Sequence, residues 1–569
     1  MHIRDFIKNN SSQWIIRHIT QPHIWSLCVL AAAVIFFSPS YNTNDDVSMA
    51  RMASGAYDGV PNPRLIYIHS LYGLILSKLY AAAPIVPWYG LLFLILLFFS
   101  LWCTVRCIQS RYGTTITAHV ATLYATVVAV FAGLFVQYTT IASFVAMSGF
   151  IVLIGETLKS RKISPIMLGA GIALVVTSFL IRENVFLYAA VLAAPLVVHS
   201  YITSSSRTGR KALALSMGGI VVAVVLLRAV AGIAYSSTDW NEYMRWSSVQ
   251  AFFHDYDITS YQKNKEYYTS LGWSENDHTM LNTWFYTDAQ RFSIDAVSGI
   301  IDFAKRKNIS LEGVVFTLKT FIQQITQRDL VLLVFIAFQL LIIVSSVRQK
   351  KSTIAYGITI ILCLALIFYF SFLGRLLPDR LLHPLFLMVS MYGLFVFLRV
   401  EYDRIWLKKC AIGCAALLLF FAGQLVWYAR LNGDRIVRYS EILKELPKGS
   451  LIFNWDSSLP MQWTSVFDTF AEYQGRDIAG TGWVQRSPYD SALFERYGIR
   501  DLYADMIDNP RVYLVALPQY IDSLRVYMRE HYHKEIRVVV ERNFDIRDEG
   551  LSPPLVYTAQ LVQIKSVQE

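Results

Sequence analysis

The chain has 569 residues, of which 54% are hydrophobic and only 16% charged, with a mean hydropathy of +0.40. That polar content cannot cover a soluble protein of this length, so the repeated long apolar runs are read as spans of a polytopic membrane protein. The net charge of +10 is uneven: from Arg430 onward there are 17 Lys/Arg against 20 Asp/Glu, so the excess sits in the membrane part, where it suits cytoplasmic loops facing anionic lipid. No basic motif has nucleic-acid spacing, and no nucleic-acid partner is expected.

In chain order, residues 24–38 form the first apolar segment. It is too long, and too poorly followed by small residues, for a removed signal peptide, and reads as a retained span. Asn44-Asp45-Asp46 follows within the outer loop 39–64. Two adjacent carboxylates at a membrane exit are costly unless they face water or a polar cavity. Segment 65–83 places Ser70, Gly73 and Ser77 on one helical stripe, with His69 before it, and predicts an amphipathic helix lying at the interface. Further spans are expected at 88–105, 113–135, 140–158, 163–181, 183–201, 212–235, 329–347, 353–372, 382–398 and 410–428.

Charge decides whether 65–83 also spans. If it does not, the basic clusters Arg106/Arg111, Lys159/Arg161/Lys162, Arg207/Arg210/Lys211, Arg348/Lys350/Lys351 and Arg399/Arg404/Lys408/Lys409 all fall inside. If it does, the bias reverses. The positive-inside rule therefore predicts about eleven spans, with the N-terminus in and the C-terminus out. The six cysteines (Cys28, Cys103, Cys107, Cys363, Cys410, Cys414) all lie in apolar segments and imply packing, with no disulfide framework.

Two extramembrane pieces remain. Loop 236–328 is dense in aromatics and too long for a plain connection. Aromatic faces pack against the C–H faces of sugars, so Trp273 and Trp284, with Asp277 and Asp288 flanking Trp284-Phe285-Tyr286, are candidate substrate-binding residues. Residues 430–569 alternate helical and strand patterns and predict a small extracytoplasmic α/β domain beside the transmembrane domain 1–429. Gly475, Gly480 and Gly482 lack the strand-turn-helix context of a nucleotide loop. The domain is expected to cover the site or to hold an acceptor.

The chemistry is expected at the outer face. Asp45 or Asp46 is the candidate general base, with Asn44 beside them as a substrate contact. Asp46 is preferred, because Asn44 or Asp45 suits a helix N-cap. Arg182 at a short turn, Arg375 and Arg380 at the mouth of a span, nearby His383, and Arg228 inside a span are candidate phosphate ligands, since guanidinium forks match phosphate oxygens. Arg228 has pairing with Glu183 as its structural alternative.

This assembly resembles the GT-C superfamily of membrane glycosyltransferases, which use polyprenyl-phosphate-linked sugars. The resemblance rests on a first span, an outer acidic pair (Asn44-Asp45-Asp46), an amphipathic juxtamembrane helix (Leu65–Ala83), many spans and an outer C-terminal domain. It implies that Asp45 or Asp46 is the base or a metal-site carboxylate, so a divalent cation is a possible cofactor, with no ligand set assigned. It also implies a hexosyl- or pentosyltransferase of a bacterial plasma (inner) membrane, acting in inverting fashion on a lipid-linked sugar donor. The acceptor would be a cell-envelope glycan, lipid or protein. Within glycan assembly the alternative is a polysaccharide polymerase or O-antigen-type ligase; in another class it is a transporter or lipid flippase, against which the apolar span centres argue.

Overall fold

The structure is a computed structural model. It describes residues 21–113, 115–158, 163–256, 258–308, 311–326, 336, 338–340, 342–343, 350–373, 375, 377–397, 404–548 and 555–567. Among them, seven helices are long and apolar enough to cross a membrane: Trp88–Tyr112, Ile116–Leu134, Tyr138–Thr157, Glu183–Thr203, Arg207–Ala234, Ser352–Phe372 and Ala411–Glu445. Pro22–Phe36 and Pro165–Ile181 are apolar but shorter, and Asp379–Phe397 is a further mostly apolar helix. Most of the predicted span 329–347 lies outside the described residues. The chain is a multi-pass membrane protein.

Helix Tyr138–Thr157 is the axis of the bundle, with every residue buried. Its close neighbour Pro165–Ile181 approaches through glycine: a Cβ on Gly149 would lie 2.9 Å from the carbonyl oxygen of Gly171. Small residues let helix backbones close up where lipid offers no hydrophobic drive. The segment expected at the interface forms helix Ser70–Ala82, about 20 Å long at 1.5 Å per residue and too short to span. Its stripe of Ser70, Gly73 and Ser77 is turned inward, while Leu74 and Ile75 are exposed.

The C-terminal part carries a five-stranded sheet in the order β4-β3-β5-β7-β6. Its strands are β3 (Ser450–Asn454), β4 (Arg476–Gly480), β5 (Val512–Ala516), β6 (Ile536–Asp548) and β7 (Leu555–Ser566). β3 pairs in parallel with both β4 and β5; β7 runs antiparallel to β5 and β6. β3 is Ser-Leu-Ile-Phe-Asn, buried throughout, as a strand covered on both faces must be.

A second, two-stranded sheet fixes the acidic loop. β1 (Ser40–Tyr41) pairs in parallel with β2 (Phe135–Val136), just before the axial helix. Ser40 also bridges to Ser465, and Tyr41 N–H donates to the Thr464 carbonyl at 3.2 Å. The loop after the first helix is thus held at once by the bundle and by the C-terminal domain. That domain comes close because Gly90 has no side chain: a Cβ there would stand 2.4 Å from the Val466 carbonyl oxygen.

Candidate active site

The acidic pair opens helix Asn44–Ser54, where both carboxylates sit in the first turn and are favoured by the helix dipole. The N-cap is Thr43, in extended backbone, which corrects the expectation of a cap at Asn44 or Asp45. Successive residues on a helix point about 100° apart, and the two aspartates part ways accordingly.

Asp46 is fully buried. Its Oδ1 accepts from Tyr89 Oη at 2.9 Å and from the Tyr138 N–H at 3.0 Å, and its Oδ2 accepts from Thr43 Oγ1 at 2.8 Å. Burial pushes its carboxyl up to about 7 against the pull of these donors. It knits the loop to the axial helix and does not reach the cavity below.

Asp45 lines a cavity of about 300 Å³ between the bundle, the long loop and the C-terminal domain. Its Oδ2 accepts from Arg380 Nη1 at 2.8 Å, and its Oδ1 accepts from Trp483 Nε1 at 2.8 Å. The preference for Asp46 as the substrate-facing carboxylate is therefore reversed. Asn44 shares the cavity, and its Oδ1 accepts from the Gln462 N–H at 2.8 Å.

Three of the five candidate phosphate ligands meet Asp45 here. Arg182 occupies the extended link between helices Pro165–Ile181 and Glu183–Thr203. Its guanidinium lies over the rings of Tyr67, at 4.9 Å, and Tyr138, at 5.4 Å. No carboxylate among the described residues pairs with it. Arg375 pairs with Asp255 at 2.5 Å, where its backbone bridges to Tyr256. Arg380 opens helix Asp379–Phe397 and pairs with Asp45.

The other two candidates lie elsewhere. Arg228 is ion-paired with Glu183 on the exposed side of its helix, so the structural alternative holds. His383 follows Arg380 by nearly one turn, is half-buried, and does not line the cavity.

Of the loop candidates, only Trp284 reaches the cavity. Its ring stacks on His254 with centroids 3.5 Å apart, and burial lowers the His254 imidazole to about 4. Trp273 is buried against Phe292 and Tyr268. Asp277 is consumed by a capping box with Ser274 and by Arg291 and His531. Asp288 accepts from Tyr527 Oη at 2.9 Å and from the N–H groups of Gln290 and Arg291. Asp277 and Asp288 fasten the loop to helix Pro518–Tyr532 of the domain through His531 and Tyr527, and Trp273 packs inside the loop.

The cavity also contains Tyr67, Tyr138, Asn184, Tyr188, Asp255, Asp456 and Trp483, none of which stood out as a site residue in the sequence. Tyr138 and Asn184 stand in the first turns of helices Tyr138–Thr157 and Glu183–Thr203. Trp483 lies just past the glycines dismissed as a nucleotide loop, and nothing local pairs it with Asp45.

The surroundings of Asp45 do not make a cation site. A divalent ion seeks several oxygen ligands, and here the two carboxylate oxygens face a guanidinium and an indole N–H. Among the described residues, Asp277, Glu530 and His531 form the group whose ligand atoms come within 4.8 Å of one another. Both oxygens of Asp277 are already engaged there, Oδ2 by the Arg291 guanidinium and Oδ1 by His531 Nε2.

No family model matches the chain, and no curated protein matches it. Among solved structures, ArnT from Cupriavidus metallidurans bound to undecaprenyl phosphate matches with a TM-score of 0.50 at 9% identity, over 97% of this chain and 98% of that one. ArnT from Cupriavidus metallidurans in the apo state gives a TM-score of 0.49 at 10% identity, over 97% and 98%. The likeness covers nearly the whole of both chains, so the chain shares the fold of ArnT, and the resemblance drawn from its acidic loop and order of elements is met at the level of fold.

Proposed function

We propose that the protein is an integral membrane glycosyltransferase that moves a sugar from a polyprenyl-phosphate donor to an extracytoplasmic acceptor, with inversion. The observation that carries this reading is the meeting of Asp45 with Arg182, Arg375 and Arg380 in one cavity at an end of the helices. A base and a phosphate-holding group must share a site for this reaction. The undecaprenyl phosphate bound by ArnT supports a lipid-linked donor, and the positive-inside pattern supports an outward cavity.

In this mechanism Asp45 takes the proton from the acceptor hydroxyl. The freed oxygen attacks the anomeric carbon from the face opposite the phosphate. The carbon–oxygen bond to the phosphate breaks, and its electron pair stays on the phosphate oxygen. Arg182, having no carboxylate of its own, is the first guanidinium available to that charge; Arg380 spans phosphate and base. Each carboxylate oxygen of Asp45 keeps a second lone pair beyond the one given to Arg380 or Trp483, so the acceptor O–H has a place to bind. Already fixed in place by the surrounding helices and loops, these charges need little reorganisation. No step passes through a metal.

Transfer by the purified full chain from a panel of polyprenyl-phosphate sugars tests this reading, with Asp45→Asn alongside. Product from the wild type and none from the variant is the expected result. Equal product from both, or substrate movement across liposomes with no new glycosidic bond, overturns it.

A further inference from the structure

The carboxyl ends of parallel strands β3 and β4 open directly on the cavity, through Asn454 to Ser457 and Gly480 to Val484. The chain leaves β3 toward β4 on one side of the sheet and leaves β5 toward the β6–β7 hairpin on the other. In open α/β sheets such a reversal leaves a crevice outside the strand ends, and ligands bind there. Side chains from both sides of the reversal meet: Tyr520, at the start of helix Pro518–Tyr532 after β5, donates its hydroxyl to Asp456 Oδ2 at 2.6 Å. Thr481 Oγ1 accepts from the Asp456 N–H at 2.7 Å. This leaves Asp456 Oδ1 without a protein partner among the described residues.

Backbone strain gathers at the same place. Asp456 and Ser457 have φ of 46° and 57°, and Trp284 has φ of 62°. Three of the nine non-glycine residues with positive φ among the described residues therefore line this one cavity. Strain of this kind, about 1–3 kcal/mol per residue, persists where the surroundings over-determine it, and ligand clamps are such places. A carboxylate with one open oxygen and a fixed aromatic face are together the recognition set for a sugar: the oxygen accepts hydroxyls and the ring covers C–H groups.

We propose that Asp456 and Trp284 form a carbohydrate subsite at the switch point of the C-terminal sheet, with Tyr520 as the positioning residue for Asp456. This rests on the glycosyl-transfer reading above and adds to it where a sugar is held. The shared chemistry is a hydroxyl-bearing sugar ring, carried either by the donor or by a glycan acceptor.

The test measures kcat and KM for the full chain in lipid nanodiscs, with wild type, Asp456→Asn and Tyr520→Phe, using matched hydroxylated and deoxy forms of the donor sugar and of the acceptor glycan. Asp456→Asn is expected to raise KM about tenfold for one sugar-bearing substrate, with kcat nearly kept. It should also erase most of the preference for the hydroxylated form of that substrate. Loss of preference in the donor series assigns the subsite to the donor sugar; loss in the acceptor series assigns it to the acceptor. Tyr520→Phe should shift the same KM by less. An unchanged KM and unchanged hydroxyl preference in Asp456→Asn, in protein melting like wild type, overturns the proposal while leaving glycosyl transfer intact. If wild type transfers nothing, the transfer reading fails, and calorimetric binding of the same sugars to wild type and Asp456→Asn still decides the subsite: equal binding overturns it.

Discussion

The cavity has two unlike walls. The wall built by the bundle and the loops at that end carries Asp45, Arg182, Asp255, Arg375 and Arg380, with four of these five charges already paired across it. The wall built by the C-terminal sheet carries Asn454, Thr481, Trp483 and a single charged described residue, Asp456. Charges at helix ends are cheap to place, because spans deliver them to the membrane surface with a fixed backbone. Strand ends offer hydrogen-bonding groups and aromatic edges. The first wall suits an anion and the proton transfer beside it; the second suits neutral, hydroxylated matter.

The sharpest break of this contrast is Asp45→Asn. Turnover should fall about 10³-fold, the size of a lost general base, as read from product formation at saturating substrate. Arg182→Gln comes next, with an expected loss of about 10²-fold in kcat/KM for the donor, since it removes one fixed donor to the leaving phosphate. Trp483→Phe tests whether the neutral wall helps the charged one: it deletes the hydrogen bond from the sheet wall to Asp45 and should cost about tenfold in kcat. A wild-type rate in Trp483→Phe would separate the two walls functionally.

The smallest effect on rate belongs to Asp46→Asn. An amide has the shape to accept from Tyr89 and Tyr138 and to donate to Thr43, so activity should stay close to wild type. Stability should change with a defined sign. The carboxyl of Asp46 is raised from 3.8 to about 7 in the folded protein, so between those values the folded state holds a proton that the unfolded chain has lost. Its contribution makes stability fall as pH rises from about 4 to about 7 and then level off. Melting curves across that window should show a shallower slope for Asp46→Asn and a higher Tm above pH 7.

The neighbours Asp45 and Asp46 also show how far residue order reaches. The acidic pair after the first span and the arginines at 182, 375 and 380 were singled out from charge and the order of segments, and one cavity gathers Asp45 with all three arginines. Which aspartate turns outward depends on one residue of helix phase, set by the β1–β2 pairing and by Thr43 as cap. Nothing in Asn42–Tyr57 reveals that pairing. The long loop misled for a related reason: Asp277 and Asp288 have the composition of a sugar site, but their partners His531 and Tyr527 lie on a helix far along the chain, and Trp273 packs inside the loop itself. The GT-C resemblance was legible from the order of elements, which the fold shares with ArnT.

The bridge between Ser40 and Ser465, with Asp45 tied to Trp483 and Arg51 buried with its Nη1 on the Ile478 carbonyl at 2.8 Å, has a mechanical consequence. The segment bearing Asp45 is stitched to the same domain that roofs the cavity, so loop and roof form one mechanical unit. A change that loosens the seat of the C-terminal domain would loosen the acidic loop with it.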